Sequence, residues 1–266
     1  MEGVITSSQN SKIKDLLSLR DKSRLRRESG LFVVEGAREF VRALRCGFEA
    51  RSVFYCAKYL RDGSTAAYID SCGGTPFEVS EQVYDRIACR EGAEGVVAVM
   101  KSRYPALEEI SFKGDPLILV LESVEKPGNI GAVLRTADAA GADAVIVCDP
   151  RTDLYNPNLI RASLGSIFSV KTVACTSEEA AAWLRKNDIQ ILTAQLQDSK
   201  PYYDTDMKGG TAIVMGTEDA GLSDFWRNCS DAHIRIPMNG LMDSLNVSVS
   251  AAILCFEAVR QRNSDK

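Results

Sequence analysis

IPMNGLMDSLNVSVSAA, residues 236–252 of this chain, combines the end of a short strand, a polar loop and the start of a helix of small residues. Met238, Gly240, Ser244 and Asn246 give the loop exposed backbone amides and short polar side chains just beyond the strand. Open α/β sheets bind their ligands at this kind of position, outside the carboxyl ends of strands. The stretch therefore predicts an α/β fold with a small-molecule pocket in its C-terminal part.

The chain upstream of this loop alternates between apolar strands and helices. Continuously apolar segments, such as AVIVC at 144–148, are typical of strands buried on both faces of a parallel sheet. The predicted fold class is therefore α/β, with a mainly parallel sheet flanked by helices. We expect strands at 117–121, 144–148, 190–194, 212–215 and 233–236, and helices at about 129–140, 157–164, 177–186 and 245–262.

A smaller α/β domain is predicted ahead of this sheet. Strands are expected at 31–36, 52–56 and 95–100, with a helix at 37–46. A polar stretch then precedes the first strand of the larger sheet. The predicted organisation is a first domain over residues 1–105, a linker over 106–115 and a second domain over 116–266.

The composition is that of an ordinary globular chain. It has 266 residues, of which 45% are hydrophobic and 26% charged, enough for two domains with substantial cores. No apolar run is long enough to span a bilayer and the N-terminus lacks the regions of a signal peptide, so we expect a cytoplasmic protein without a membrane partner. The eight cysteines form no Cys-x-x-Cys pair and His233 is the single histidine, so we predict no metal site.

Charge is distributed unevenly along the chain, whose net charge is −4. Residues 1–105 contain 17 Lys and Arg against 14 Asp and Glu, whereas residues 106–266 contain 15 against 22. Helical spacing of the apolar residues within 11–27 leaves a stripe of cations to solvent. This stripe suits an ordinary solvated helix face as well as a surface that contacts phosphates. Its cations are Lys12, Lys14, Lys22, Arg24, Arg26 and Arg27.

Two further polar turns follow predicted strands. ESVEKPGNIGAVLRTADAAG, residues 122–141, contains Asn129, which we expect to cap a helix, and Arg135 nearly two turns further on. GTEDAGLS, residues 216–223, follows another predicted strand, with Glu218 projecting from the turn. Taken alone, this second pattern is more typical of a turn than of a site. Three polar loops at strand ends can, however, converge on one edge of a sheet.

Together the three motifs resemble the SpoU/TrmH family of RNA ribose methyltransferases, within the SPOUT superfamily. The N-terminal stretch FVVEGAR, residues 32–38, resembles the substrate-binding domain that many members carry, so the resemblance covers nearly the whole chain. The matching residues are Asn129, Gly131, Arg135 and Ala137 in the first motif, Gly216, Glu218, Gly221 and Leu222 in the second, and Ile236, Pro237, Met238, Ser244, Leu245 and Asn246 in the third.

The resemblance implies transfer of a methyl group from S-adenosylmethionine to a ribose 2′-hydroxyl of a structured RNA. Ribosomal RNA is slightly favoured over transfer RNA as the substrate. A trefoil-knotted C-terminal domain and a homodimer formed through that domain are also implied, without a metal. The implied catalytic residues are Arg135, Asn129, Glu218, Ser244 and Asn246, the cofactor-binding residues are Gly216, Ile236, Met238 and Leu245, and the RNA-binding residues are Lys12, Lys14, Arg24, Arg26, Arg27 and Arg38.

One residue departs from the family pattern. Lys126 stands where the first motif usually has an aspartate, which puts substrate contacts near the ribose in doubt.

The implied dimer interface contains Val133, Leu134, Ala137, Ile253, Leu254 and Phe256.

Two other functions are left open. A nicotinamide-dependent oxidoreductase would use residues 117–149, with Asp149 on the ribose, although Gly128 and Gly131 lack the Gly-x-Gly spacing that such a loop needs. A non-catalytic RNA-binding protein would keep the second domain only as a vestige. Arg135 has its own alternative, an ordinary surface salt bridge.

Overall fold

The computed structural model describes residues 3–60, 63–89 and 94–264, which divide into two compact units. The first unit comprises the residues up to Arg103 together with Asp153–Ser169. The second comprises Tyr104–Thr152 and the residues from Val170 onward. In the part of the chain described, no helix is both long and apolar enough to cross a membrane.

The first unit is built on a mixed four-stranded sheet. Its strands are β1 (Leu31–Glu35), β2 (Ala50–Tyr55), β3 (Thr75–Glu78) and β4 (Val96–Lys101), in the order β1-β4-β2-β3. Strand β4 runs antiparallel to β1 and β2, and β3 pairs parallel with β2. The accompanying helices are α1 (Ser11–Asp21), α2 (Ser23–Ser29), α3 (Ala37–Arg45), α4 (Gly63–Ser71) and α5 (Glu81–Ile87).

The second unit is built on a seven-stranded sheet whose neighbouring strands all pair in parallel. The strand order is β7-β6-β5-β10-β8-β11-β9. This confirms the predicted parallel sheet and its five predicted strands; β7 and β9 are additional strands, and β9, with two residues, is too short for a periodicity. The strands are β5 (Leu117–Glu122), β6 (Ala144–Cys148), β7 (Thr172–Cys175), β8 (Gln190–Ala194), β9 (Lys200–Pro201), β10 (Thr211–Met215) and β11 (Ala232–Arg235).

Helices flank this sheet as expected. Helices α6 (Pro127–Ala140) and α11 (Val247–Asn263) pack against each other, and Val133, Leu134, Ala137 and Leu254 on these helices are completely buried within the unit. These four side chains were expected at a dimer interface, and only Ile253 and Phe256 of the expected set keep exposed surface. The other helices that follow β5 in the chain are α7 (Pro157–Ala162), α8 (Ser166–Ser169), α9 (Ser177–Lys186) and α10 (Asp224–Cys229), of which α7 and α8 belong to the first unit.

The segment Asp153–Ser169, with α7 and α8, packs within the first unit although the sequence places it inside the predicted second domain. Tyr155 stacks on Phe32 with ring centroids 4.2 Å apart, and its hydroxyl donates to the backbone carbonyl of Arg103. Phe168 lies 6.0 Å from the same Phe32 ring. Aromatic contacts of this kind depend on tertiary packing, so a linear boundary cannot represent them.

Candidate active site

The three polar loops lie at the ends of strands in one parallel sheet. Strands β5 and β10 are adjacent and in register, so the first and second motifs leave the sheet side by side. Strand β11 pairs with β8, which itself pairs with β10, and the third motif follows β11. Because parallel strands share one direction, all three loops start from the same edge.

The second motif closes on itself through its glycines. The amide of Thr217 donates to the carbonyl of Gly221 at 3.1 Å, and the amide of Gly221 donates back to the carbonyl of Thr217 at 3.1 Å. A Cβ atom on Gly216 would lie 2.1 Å from the Gly221 carbonyl oxygen, so only glycine is tolerated at this position. Gly221 itself adopts a φ of +69°, which favours glycine.

A cavity of about 350 Å³ lies beside this loop. All four predicted cofactor-binding residues line it, namely Gly216, Ile236, Met238 and Leu245. Glu218 and Ser244, predicted as catalytic, also contribute to its wall. Its volume falls at the lower end of the range of small-molecule pockets, roughly 300–1,000 Å³.

A cluster of four side chains, Lys126, Asn129, Glu218 and Asn246, connects the three motifs at this cavity. Glu218 Oε1 accepts hydrogen bonds from Asn129 Nδ2 at 2.8 Å and from Asn246 Nδ2 at 2.5 Å. Its Oε2 accepts from the ammonium of Lys126. Asn246 Nδ2 also lies 3.2 Å from Asn129 Oδ1. We call this set the Glu218 cluster.

The donors of the Glu218 cluster keep its central group charged. Hydrogen bonds from Lys126 and then Asn129 lower the pKa of the Glu218 carboxyl. The same contact raises the pKa of the Lys126 ammonium. Glu218 is therefore an ionised acceptor at neutral pH, and Lys126, the residue that departs from the family pattern, is its counter-ion.

The prediction that Asn129 caps a helix is wrong. Asn246 instead caps helix α11. Pro127 opens α6 and Asn129 occupies its third position, so the Asn129 amide is free to reach Glu218. Asn246 precedes α11, and its Oδ1 accepts from the Ser248 amide at 2.9 Å. An asparagine at an N-cap satisfies an otherwise unpaired helix amide. The sequence pattern did not separate these two roles because both asparagines precede helical periodicity.

Arg135 does not join the Glu218 cluster. It is exposed on α6, six residues beyond Asn129, or about 9 Å along the helix axis. Within the described ranges it has no hydrogen-bond or ion-pair partner, so the surface salt bridge considered from sequence is not found there. Ser244 is exposed as well, and its hydroxyl donates to Oδ1 of the neighbouring Asp243 at 3.3 Å.

One supporting contact escaped the sequence prediction. Glu122, at the end of β5, is buried and accepts from the Ser223 amide at 2.8 Å and from the Ser223 hydroxyl at 2.6 Å. Ser223 directly follows the second motif and precedes α10. Both carboxylate oxygens of Glu122 thus anchor the end of the glycine loop to the neighbouring strand.

Two polar residues of the cavity wall also escaped prediction. Gln195 follows β8, and Arg227 lies on α10. The position of Gln195 could have been inferred, because β8 was predicted and its C-terminal end belongs to the same sheet edge. Arg227 carried no sequence signal, since its approach to the cavity depends on how α10 packs.

The predicted RNA-binding cations separate into exposed and buried side chains. Lys14, Arg24, Arg27 and Arg38 are exposed, and Lys12 is half-buried, with its ammonium 4.9 Å from the centre of the Phe77 ring. The prediction that Arg26 binds RNA is wrong. It is 3% exposed, its Nε lies 2.5 Å from Asp153 Oδ2, and its Nη1 donates to the carbonyls of Leu19 and Arg20. Arg26 therefore ties α2 to α1 and to the Asp153 segment, and its guanidinium is not available to a phosphate.

The comparisons with known proteins agree with this arrangement. The sequence model of the SpoU rRNA Methylase family matches residues 116–256, which include all three motifs. The chain belongs to the SpoU rRNA methylase family. A second model, the MRM3-like substrate binding domain, matches residues 10–98.

Similar proteins span nearly the whole of this SpoU methylase. It is 30% identical over 274 aligned residues to a 23S rRNA (uridine(2479)-2′-O)-methyltransferase of Streptomyces viridochromogenes, covering 98% of this chain and 93% of that protein. It is 27% identical to a 23S rRNA (guanosine(2553)-2′-O)-methyltransferase of Bacillus subtilis, covering 95% and 97%. An AdoMet-bound rRNA methyltransferase from Sinorhizobium meliloti superposes with a TM-score of 0.90 at 31% identity, covering 98% and 99%.

Family membership confirms the predicted enzyme class and cofactor, an RNA 2′-O-methyltransferase that uses S-adenosylmethionine. The residues of the cavity are compatible with that cofactor. Gly216 contributes backbone to the cavity wall, and Ile236 and Leu245 contribute apolar side chains. The predicted roles of the individual site residues stay predictions.

Proposed function

We propose that this protein methylates a ribose 2′-hydroxyl of ribosomal RNA. The observation that carries the proposal is the junction of the cofactor cavity and the Glu218 cluster, because Glu218 belongs to both. The names of the full-length relatives, which are 23S rRNA methyltransferases, support ribosomal rather than transfer RNA. Such a substrate is consistent with a cytoplasmic protein.

The roles proposed for the site residues are those that the family resemblance implies, and the arrangement of the cavity and the Glu218 cluster supports them. S-adenosylmethionine supplies an electrophilic methyl group on its sulfonium. Gly216 and the loop at Ile236–Met238 hold the cofactor through backbone groups, and Leu245 covers the adenine. Asn129, Asn246 and Ser244 orient the ribose at the mouth of the cavity, while the ionised Glu218 keeps both asparagine amides in place. Holding a weak nucleophile in line with the methyl group supplies much of the acceleration.

Arg135 is proposed to bind the RNA phosphate next to the target ribose. A guanidinium stays positively charged at neutral pH and is a poor proton acceptor. Its positive charge instead makes the nearby hydroxyl easier to deprotonate, with the phosphate or water taking the proton. The exposure of Arg135 and its lack of a partner in the described part of the chain leave all its donors available for this contact.

We also propose a homodimer through the C-terminal domain, with the C-terminal region threaded as a trefoil knot. Val249 and Phe256 are each 46% exposed on α11, which is unusual for large apolar side chains outside an interface. In a dimer, Arg135 of a second copy is able to complete the site. Sedimentation analysis of the full chain tests the dimer.

Neither alternative function is supported. Gly128 and Gly131 lie inside α6 and do not form the glycine-rich turn that a dinucleotide needs. A vestigial domain would not be expected to keep both the cavity and the hydrogen-bonded Glu218 cluster.

The reaction is tested by calorimetry with S-adenosylmethionine and by methyl transfer to ribosomal RNA. We expect Arg135→Ala to slow turnover by roughly 100-fold or more while cofactor affinity stays near the wild-type value. Ser123→Ala, at the start of the first loop, serves as a control. Equal losses of turnover and cofactor affinity in Arg135→Ala would make Arg135 a binding or folding residue.

The RNA target is tested in cells. Mapping 2′-O-methyl positions in RNA from cells with and without the protein should reveal one ribosomal position that disappears. A lost position in transfer RNA alone would contradict the proposed substrate.

A further inference from the structure

A groove of about 970 Å³ lies against the four-stranded sheet of the first unit. Helix α1 covers part of this sheet, where Ile13, Leu16 and Leu19 join the core with Val33. Beside α1 the sheet is open, and the groove is lined there by residues of all four strands and of α2. It is much larger than the cofactor cavity of about 350 Å³. Its volume is therefore sufficient for a ligand of nucleotide size or larger.

The register of the strands gives the groove a floor of small side chains beside an aromatic ring. Val99, Ser52 and Thr75 lie side by side on three neighbouring strands, and Phe54 and Phe77 pair one step further along. The Phe77 ring is only partly buried, and its centroid lies 5.3 Å from that of Phe54. Aromatic side chains on the face of a sheet are a common stacking platform for unpaired bases.

Cations line the same groove. Lys12, Arg51 and Lys101 contribute to its wall, against the anions Asp15 and Glu49. Lys101 pairs with Glu49 at 2.6 Å, but both side chains are more than half exposed, so the pair is weak. Arg51 is exposed, and the ammonium of Lys12 lies 4.9 Å from the centre of the Phe77 ring. An aromatic ring beside several cations suits a ligand that has planar rings and negative charges.

We propose that this groove binds an unpaired stretch of the RNA substrate, with one base stacked on Phe77 and its phosphates on Lys12 and Arg51. The flexible stem of Lys12 allows its ammonium to leave the ring for a phosphate when a base arrives. A double helix keeps the faces of its bases stacked on one another, so it has no base to offer to Phe77. The inference rests on the proposed RNA substrate and adds where, and in which form, the first unit holds it.

The test compares two RNA probes on the full chain by fluorescence anisotropy. One is a labelled single strand of about nine nucleotides, and the other is the same strand annealed to its complement. We expect Phe77→Leu, which keeps an apolar side chain but removes the ring, to weaken the single strand roughly fivefold or more and to leave the duplex unchanged. Arg51→Gln should reduce the slope of log affinity against log salt concentration for the single strand by about 0.7.

Matched controls lie outside the groove. Phe112→Leu changes a partly buried ring of the second unit, and Arg86→Gln removes an exposed arginine of α5. Both should leave the two probes unaffected, and thermal unfolding of each variant checks that it folds. Photo-cross-linking with a single strand that contains 4-thiouridine gives the location independently, and the cross-links should fall on peptides of β2 and β3.

Three outcomes would overturn the groove as a site for unpaired RNA. They are an unchanged affinity of Phe77→Leu for the single strand, an equal loss for single strand and duplex, and cross-links confined to peptides outside the groove. Methyl transfer by the wild-type protein to ribosomal RNA is measured in parallel. Transfer without binding of the single strand would reject the groove and keep the proposed reaction, whereas binding that Phe77→Leu weakens, without transfer, would reject the reaction and keep the groove.

Discussion

Glu218 accepts hydrogen bonds from side chains that belong to the first and third motifs, so one carboxylate aligns three loops. Its Oε2 accepts from Lys126, the residue that departs from the expected motif, which usually has an aspartate at that position. An acid there would repel Glu218, whereas the lysine attracts it. Lys126 is therefore the counter-ion of Glu218 in this cluster.

The pH range of this contact follows from the two pKa shifts. The pKa of Glu218 is lowered, so its contribution to stability is present above its unfolded value of about 4.3 and is lost as the pH falls through the folded value. The pKa of Lys126 is raised, so its contribution is present below about 10.4 and is lost as the pH rises through the folded value. The pair is therefore intact across the physiological range.

Replacing Lys126→Met should move the Glu218 pKa upward, because the main group that lowers it is removed. Carbon-detected NMR titration of the Glu218 carboxyl measures this directly. The matched control is Lys113→Met, since Lys113 is an exposed lysine of the same unit outside the cluster. An unchanged Glu218 titration in Lys126→Met would mean that the ammonium does not reach the carboxylate in solution.

At the level of secondary-structure elements, Glu122 at the end of β5 bonds Ser223, which lies at the end of the glycine loop and directly before α10. Glu122→Gln keeps the shape of the side chain but replaces one acceptor oxygen by a donor, which opposes either the amide or the hydroxyl of Ser223. We expect a loss of about 1.5–3 kcal/mol in the free energy of unfolding, as for a hydrogen bond to a charged group. Urea unfolding of the full chain measures it.

Cofactor affinity is the second measurement to be made on Glu122→Gln. If the anchor positions the glycine loop, Glu122→Gln weakens S-adenosylmethionine binding at a temperature where the variant is fully folded. Ser223→Ala removes only the hydroxyl contact and should show a smaller effect. A destabilised Glu122→Gln protein with wild-type cofactor affinity would restrict Glu122 to a structural role.

Helix α2 is held by the buried ion pair between Arg26 and Asp153, both 3% exposed. Arg26→Met leaves the Asp153 carboxylate buried without its cation, which should cost about 3–5 kcal/mol of unfolding free energy. Arg24→Met, in the same helix, removes an exposed pair with Glu28 and should cost about 1 kcal/mol at most. Similar urea midpoints for the two variants would contradict the burial of Arg26.

For the whole molecule, the uneven charge distribution predicts which cations make RNA affinity depend on the salt concentration. Exposed cations of the first unit, Arg24 and Arg27 among them, are proposed to contact phosphates. Each lost phosphate contact reduces the slope of log affinity against log salt concentration by about 1. The double variant Arg24→Gln, Arg27→Gln should therefore bind RNA more weakly at low salt and with a shallower salt dependence.

The control for this measurement is Lys186→Gln, because Lys186 is an exposed cation of the second unit. If Lys186→Gln reduced the slope of log affinity against log salt concentration by the same amount, the cations of the first unit would contribute no more to RNA binding than those of the second. Point variants are preferable to removing residues 1–105, because Asp153–Ser169 packs within the first unit and would lose its partners.

Much of this protein could be inferred from local patterns. Apolar runs such as 117–121 and 144–148 identify buried strands because burial on both faces removes any need for polar residues. Gly216 and Gly221 mark the closed loop because backbone geometry and close packing exclude side chains there. The motif residues around Glu218 and Asn246 identified the family, and the cavity then brought the four expected cofactor residues together.

Other properties depended on packing between segments far apart in the chain. Arg26 and Arg24 look alike in the sequence, yet one is buried against Asp153 and the other lies in solvent. Asn129 and Asn246 lie far apart in the sequence, and only the fold brings both of their side-chain amides to the same oxygen of Glu218. Local sequence specifies the preferences of the backbone, whereas burial and hydrogen-bond partners are set by long-range contacts, and these contacts decide which polar residues are free to act on a ligand.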